Sequence, residues 1–224
     1  MASLDLSALR GQRILITGAA RGIGAALAER LASHGARLAL VGLEPERMAE
    51  VATRCGEDTF VAECDVSNSA HVQQAIDAAA EALGGLDVVV ANAGIATGGP
   101  LRSQDMRSWE RVIEINLLGV MYTDRAALPH LERSRGYVLN IASSAAALRG
   151  PGMSAYCAAK AGVEALSDCL RIEMQPLGVQ SASRISCSST PTWSTTASVR
   201  IPCCSARRPT CRARSHAPTR CPRQ

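Results

Sequence analysis

Apolar residues fall along this chain in short unbroken runs, separated by longer stretches where they recur every three or four positions. Arg13-Ile-Leu-Ile-Thr17, Arg37-Leu-Ala-Leu-Val-Gly-Leu43, Thr59-Phe-Val-Ala-Glu63, Leu86-Asp-Val-Val-Val-Ala91 and Gly136-Tyr-Val-Leu-Asn-Ile141 are runs of the first kind. They have the length and aliphatic content of strands buried on both faces. Helical periodicity follows the first run through Ala25-Ala-Leu-Ala-Glu-Arg-Leu31 and ends near Gly35. It resumes where Pro45 opens a first turn, and again over about residues 69 to 83, 105 to 133 and 152 to 176. Apolar strands alternating with helices predict an α/β fold: a doubly wound, Rossmann-like parallel sheet forming a single domain over residues 1–178.

The pattern breaks after Gly178. Gly-Val-Gln at 178–180 should begin a sixth strand, yet residues 179–224 hold nine Ser, six Thr, eight Arg and five Pro without periodicity. Such a segment buries too little apolar surface to offset its ordering entropy. The expectation is therefore that the C-terminal strands are missing and that 179–224 is an atypical, disordered tail.

Charge divides along the same line. The net charge of +4 arises wholly in the tail, which has eight arginines and no Asp, Glu or Lys, whereas residues 1–178 carry 16 basic and 20 acidic side chains. Nucleic-acid binding through those arginines is disfavoured, because Trp193 is the one aromatic among them and no binding fold is visible there. None of the nine cysteines is spaced for zinc, and His34, His71, His130 and His216 are scattered, so no metal site and no disulfide is expected. Met-Ala-Ser-Leu-Asp at the start lacks a basic segment followed by an apolar run, and no stretch approaches about 20 apolar residues. A cytoplasmic protein that does not engage membranes is the expectation.

Candidate chemistry enters with Thr17-Gly-Ala-Ala-Arg-Gly-Ile-Gly24, between the first strand and the first helix. Gly18, Gly22 and Gly24 permit close backbone approach to a pyrophosphate, and the following helix offers unpaired N–H groups and a positive dipole end. The glycine spacing is G-x3-G-x-G, distinct from the dinucleotide fingerprint G-x-G-x-x-G. Further on, the chain's single lysine, Lys160, stands four residues after Tyr156. On a helix these share a face, and a cation beside a phenol favours phenolate, making tyrosine usable as an acid/base near neutral pH.

These two features, with Asn92-Ala-Gly94 after the fourth strand, closely resemble the short-chain dehydrogenase/reductase family in its compact single-domain branch, over residues 10–178. The resemblance implies an NAD(P)-dependent oxidoreductase that moves a hydride between a nicotinamide cofactor and an alcohol or ketone. It implies catalytic roles for Asn116, Ser143, Tyr156 and Lys160. Ser143, thirteen residues before Tyr156, would polarise the substrate oxygen; Lys160 would tune Tyr156 and bind the nicotinamide ribose; Asn116 would hold a water linking Lys160 to solvent. It implies cofactor contacts from Gly18, Arg21, Gly22, Ile23, Gly24, Asp65, Val66, Asn92, Ala93 and Gly94, with Tyr156 and Lys160, Asp65 meeting the adenine.

NAD or NADP is left open: the chain has Gly42, then Leu43 and Glu44, where NAD-preferring relatives commonly carry an Asp at the end of the second strand, while Arg21 fits an NADP preference but Leu43 stands where NADP-preferring relatives often have Arg. Ala145 to Leu148 and Met153 suggest a hydrophobic small-molecule substrate. The family is usually homo-oligomeric, which the atypical tail puts in doubt here. A catalytically impaired dinucleotide-binding protein is the alternative. A one-base frameshift near codon 179 would explain the tail: Ser188-Ser-Thr-Pro-Thr-Trp-Ser194 can be encoded so that the neighbouring frame reads Ile-Asp-Thr-Asp-Met-Val.

Overall fold

The computed structural model describes residues 7–186. Six strands form one sheet: β1 Arg13–Thr17, β2 Arg37–Gly42, β3 Phe60–Glu63, β4 Val88–Ala91, β5 Tyr137–Ser143 and β6 Gln180–Ser186. Their order is β3-β2-β1-β4-β5-β6 and every pairing is parallel. The chain crosses from β3, at one edge, back over to β4, so β1 and β4 bound the point where the winding reverses. Doubly wound sheets place ligands outside the C-terminal ends of the strands at such a point.

Helices α1 Gly22–Ala32, α2 Pro45–Cys55, α3 Ser69–Leu83, α4 Met106–Ile113, α5 Gly119–Ser134 and α6 Ser154–Met174 cover the sheet. Alternation along β1 divides the core. Ile14 and Ile16 face α1 and α2 with Ala28, Leu40 and Met48, whereas Leu15 faces the opposite layer with Ile76, Leu131 and Met174 of α3, α5 and α6. All of β1 after Arg13 is buried, as is β4, which is why both read as unbroken apolar runs. Among the described residues no helix is long and apolar enough to cross a membrane.

The helical pattern over 105 to 133 is one path with a defect. Between α4 and α5 a turn of π-helix, Glu114–Leu118, widens the ladder and carries Asn116.

The expectation of a missing sixth strand is corrected. β6 pairs with β5 along its length, from Tyr137↔Gln180 to Ser143↔Ser186, so the sheet continues past residue 178. An edge strand needs backbone partners more than an apolar run, and small residues fit where α6 lies against it. Val179 is buried, and buried Ser181 donates to the Ser167 carbonyl on α6 at 3.4 Å. That hydroxyl adjoins a buried polar group in which Asn140 Nδ2 donates to Asp124 Oδ2 (2.9 Å) and Ser167 Oγ (3.0 Å). The expected disorder of the rest of the tail and the frameshift reading of 188–194 lie outside the described residues.

Candidate active site

At the C-terminal rim of the sheet lies a cleft of about 340 Å³, open to solvent. One of its walls is the turn from β1 into α1. Gly18 has φ +65°, and a Cβ on it would stand 2.7 Å from the Ala93 Cα, so only glycine lets the β1 and β4 loops approach this closely. A Cβ on Gly24 would meet the Gly18 carbonyl and the Asn92 amide. Gly22, φ +59°, has open space instead; there the backbone conformation is what requires glycine. Arg21, extended at φ −161°, precedes α1 and caps nothing with its side chain. The first N–H groups of α1 thus have no side-chain cap at the edge of a cleft that Gly18, Ala20, Arg21 and Ile23 line.

The β1 and β4 loops are stitched together. The Thr17 hydroxyl accepts from the Asn92 and Ala93 amides at 3.0 and 3.1 Å, and Asn92 Nδ2 donates to the Thr17 and Gly18 carbonyls at 2.9 and 3.1 Å. Asn92, Ala93 and Gly94 then form part of the cleft wall with Ile95 and Ala96.

The cleft runs from Glu44 and Asp65, at the ends of β2 and β3, to Tyr156 and Lys160 on α6. Asp65 and Val66 lie at its β3 end. Burial alone would raise the Asp65 carboxyl, but hydrogen bonds from Ser67 and the Arg111 guanidinium outweigh it and hold the group below the usual carboxylate range. At the β2 end, Arg21 Nη1 is paired with Glu44 Oε1 at 2.9 Å, and Arg47 with Oε2 of the same carboxylate at 3.3 Å.

At the other end, Tyr156 and Lys160 point from one side of α6 into the same cleft, with the lysine Nζ 5.9 Å from the centre of the phenol ring. Lys160 is 4% exposed. Its Nζ donates to the Ile141 carbonyl of β5 at 2.7 Å, and burial pushes its ammonium down to about 8.

Ser143 and Asn116 adjoin this end of the cleft, next to the lining residues Ala142 and Ile115. Ser143 closes β5, and its Oγ accepts from the Ala145 N–H at 3.2 Å, capping the short turn Ser144–Ala146. The oxygen that accepts this bond keeps its own O–H to donate. Asn116 is fully buried, and both ends of its amide are spent on one residue: Oδ1 accepts from the Ile95 N–H (2.8 Å) and Nδ2 donates to the Ile95 carbonyl (2.7 Å). The widened turn therefore fastens the β4 loop.

Several residues that line the cleft or support its walls were not singled out from sequence. Thr17 is the residue before the glycine turn, and its stitching role shows only when β4 lies alongside. Ile95, Ile115 and Ile141 look like ordinary core. Arg111 sits 46 positions from the carboxylate it holds.

A family model described as short chain dehydrogenase matches residues 12–198. The chain belongs to the short chain dehydrogenase family. Mitochondrial D-beta-hydroxybutyrate dehydrogenase of Rattus norvegicus is 36% identical over 181 residues, covering 77% of this chain and 53% of the rat protein. The chain thus spans about half the length of that family member. The alcohol dehydrogenase of the archaeon Thermococcus sibiricus, solved with 5-hydroxy-NADP, superposes with a TM-score of 0.73 at 32% identity, over 77% of this chain and 74% of its own. The 3-ketoacyl-(acyl-carrier-protein) reductase of Brucella melitensis, solved with NADH, gives 0.75 at 29% identity, over 78% and 75%.

Proposed function

We propose that this protein is an NAD(P)-dependent oxidoreductase acting on an alcohol or ketone, with Tyr156 as general acid/base. One observation carries the reading: the phenol and the ammonium of Tyr156 and Lys160 enter, from one side of α6, the cleft walled by the glycine turn. The residues fit a dinucleotide. Gly18 and Gly24 leave no room for a Cβ, α1 offers uncapped N–H donors for a pyrophosphate, and Asp65 and Glu44 supply acceptors at the far end.

A bound nicotinamide supplies or receives the hydride. In the direction of oxidation, Tyr156 Oη takes the substrate hydroxyl proton as the hydride leaves the carbon; in reduction it returns that proton to the oxygen. Lys160, fixed to the Ile141 carbonyl, brings positive charge to the phenol and a donor for ribose hydroxyls. Ser143, oriented by its bond to Ala145, donates to the substrate oxygen and polarises it. Asn116 serves by holding Ile95 in place; its bonds favour this over a side-chain relay. Ile95 on the cleft wall and Leu148, 77% exposed on the segment after Ser143, favour a hydrophobic substrate.

The test is a fluorescence titration of the full chain with NADH and NADPH, followed by turnover against a panel of alcohols and ketones. Saturable binding with turnover that Tyr156→Phe abolishes is the expected result. Binding without turnover identifies the chain as a dinucleotide-binding protein that does no chemistry. Failure to bind either cofactor overturns both readings.

A further inference from the structure

Asp65 leaves β3 at the end of the cleft remote from Tyr156, and its hydrogen bonds form a closed figure. Arg111 on α4 donates from Nη2 to Asp65 Oδ2 at 2.9 Å and from Nη1 to Ser67 Oγ at 2.7 Å. The Ser67 hydroxyl in turn donates to Asp65 Oδ1 at 2.6 Å, and the Ser67 N–H donates to that same oxygen at 2.9 Å. A carboxylate has roughly four acceptor positions, of which these bonds take three. The remaining one belongs to Oδ2, on a carboxylate that lines the cleft.

The guanidinium is itself braced. Glu114 Oε2 accepts from Nη1 at 3.4 Å, and Arg107 holds the other oxygen of Glu114 at 2.8 Å. The helix that carries Arg111 is anchored independently of Asp65. Val112 is buried against Ala155 and Ala159 of α6, and Trp109 Nε1 donates to Ser154 Oγ at 2.9 Å. Arg111 therefore reaches the carboxylate from a fixed base.

We infer that Arg111 is a positioning residue of the dinucleotide site: it closes a hydrogen-bonded ring through Ser67 onto Asp65 and so presents one ionised carboxylate oxygen to a hydrogen-bond donor on the nucleoside half. This rests on the dinucleotide reading above, which puts the nicotinamide beside Tyr156 and hence the other nucleoside at the β3 end. The carboxylate is an acceptor only, so it selects N–H or O–H groups there. With Arg111 gone, Ser67 alone orients it and burial opposes its ionisation.

The test is fluorescence titration of full-length wild type, Arg111→Met and Arg111→Lys with NADH, and with reduced nicotinamide mononucleotide, which lacks the far nucleoside. Arg111→Met should bind NADH roughly five- to tenfold more weakly, the scale of one charge-assisted hydrogen bond at a partly solvated site, and Arg111→Lys should recover part of the loss. Affinity for the mononucleotide should be the same in all three, which a general loosening of the fold would not produce. In an Asp65→Asn background Arg111→Met should cost nothing more. Should Arg111→Met fail to fold, Ser67→Ala opens the same ring and should weaken NADH in the same selective way. Equal NADH affinity in wild type and Arg111→Met, equal loss for both ligands, or additivity with Asp65→Asn overturns the inference while leaving the dinucleotide reading intact. Absence of NADH binding by wild type overturns the reading itself.

Discussion

Replacing Lys160 with methionine should make the ligand-free protein more stable at neutral pH while crippling its site. The ammonium is 4% exposed and burial lowers it from an ordinary 10.5 to about 8. At about 1.4 kcal/mol per unit, holding it charged costs the fold about 3 kcal/mol at pH 7. Between pH 8 and 10.5 the unfolded chain binds more protons at this position than the folded one, so stability rises with pH across that window and the penalty is gone above it. Methionine has similar length and no charge, and it removes the penalty. It also leaves the Ile141 carbonyl without the Nζ donor, which costs about 1 to 2 kcal/mol. The net gain at pH 7 is then about 1 to 2 kcal/mol. The pH dependence is the sharper quantity, because the carbonyl contributes equally at every pH: the stability difference between variant and wild type should shrink by about 2 kcal/mol from pH 7 to pH 9.5. Urea denaturation followed by circular dichroism at both pH values, without cofactor, measures it. A difference that stays constant to within about 0.5 kcal/mol, or a variant less stable at pH 7 than at pH 9.5 relative to wild type, refutes the buried-charge argument.

Three other outcomes are expected. Asp124, raised by burial to about 7 from an ordinary 3.8, loses stability for the fold as pH rises through that interval. Its Oδ1 and that of Asn140 are both buried and unpartnered, so Asp124→Asn should gain roughly 2 to 3 kcal/mol relative to wild type between pH 5 and pH 8 by urea melts; a pH-independent difference refutes this. Glu44→Gln releases Arg21 to meet a 2′-phosphate, and the ratio of NADPH to NADH affinity should rise about tenfold in the same titration; an unchanged ratio shows that Arg21 does not reach the ribose. Trp109→Phe keeps an aromatic ring in the cluster that Tyr156 also packs against but loses the N–H bond to Ser154 that opens α6, which should lower kcat about fivefold with NADH affinity unchanged; loss of affinity instead would place Trp109 in cofactor binding.

What was legible in the sequence follows from where each interaction lies along the chain. The runs at 13–17, 37–42 and 88–91 are apolar because both sheet faces are covered there, so their periodicity alone identifies a parallel sheet. β6 escaped for the opposite reason: Ser181, Ala182 and Ser183 pair by backbone at an edge, and the buried serine is satisfied by α6 rather than by apolar neighbours. Tyr156 and Lys160 are four apart on one helix, a local relation that spacing reveals. The carboxylates at the cleft that Arg21 and Arg111 hold, Glu44 and Asp65, stand 23 and 46 residues away, and no periodicity encodes which surface arginine will meet which of them. Asn116 was visible as a polar residue in an apolar helix, but its commitment to Ile95 depends on the π turn, which has no separate signature in composition.

The parallel sheet has a practical consequence for redesign. Every strand delivers its C-terminal end to one rim, and the bonds of Thr17 to Asn92 and Ala93 and of Asn116 to Ile95 hold the β1 and β4 loops without help from residues 97–104 and 147–153. Randomised libraries confined to those two segments would spare the buried Ala146 and the Ile95 that Asn116 holds, so a search for new substrate preferences can begin there with little risk of producing insoluble clones.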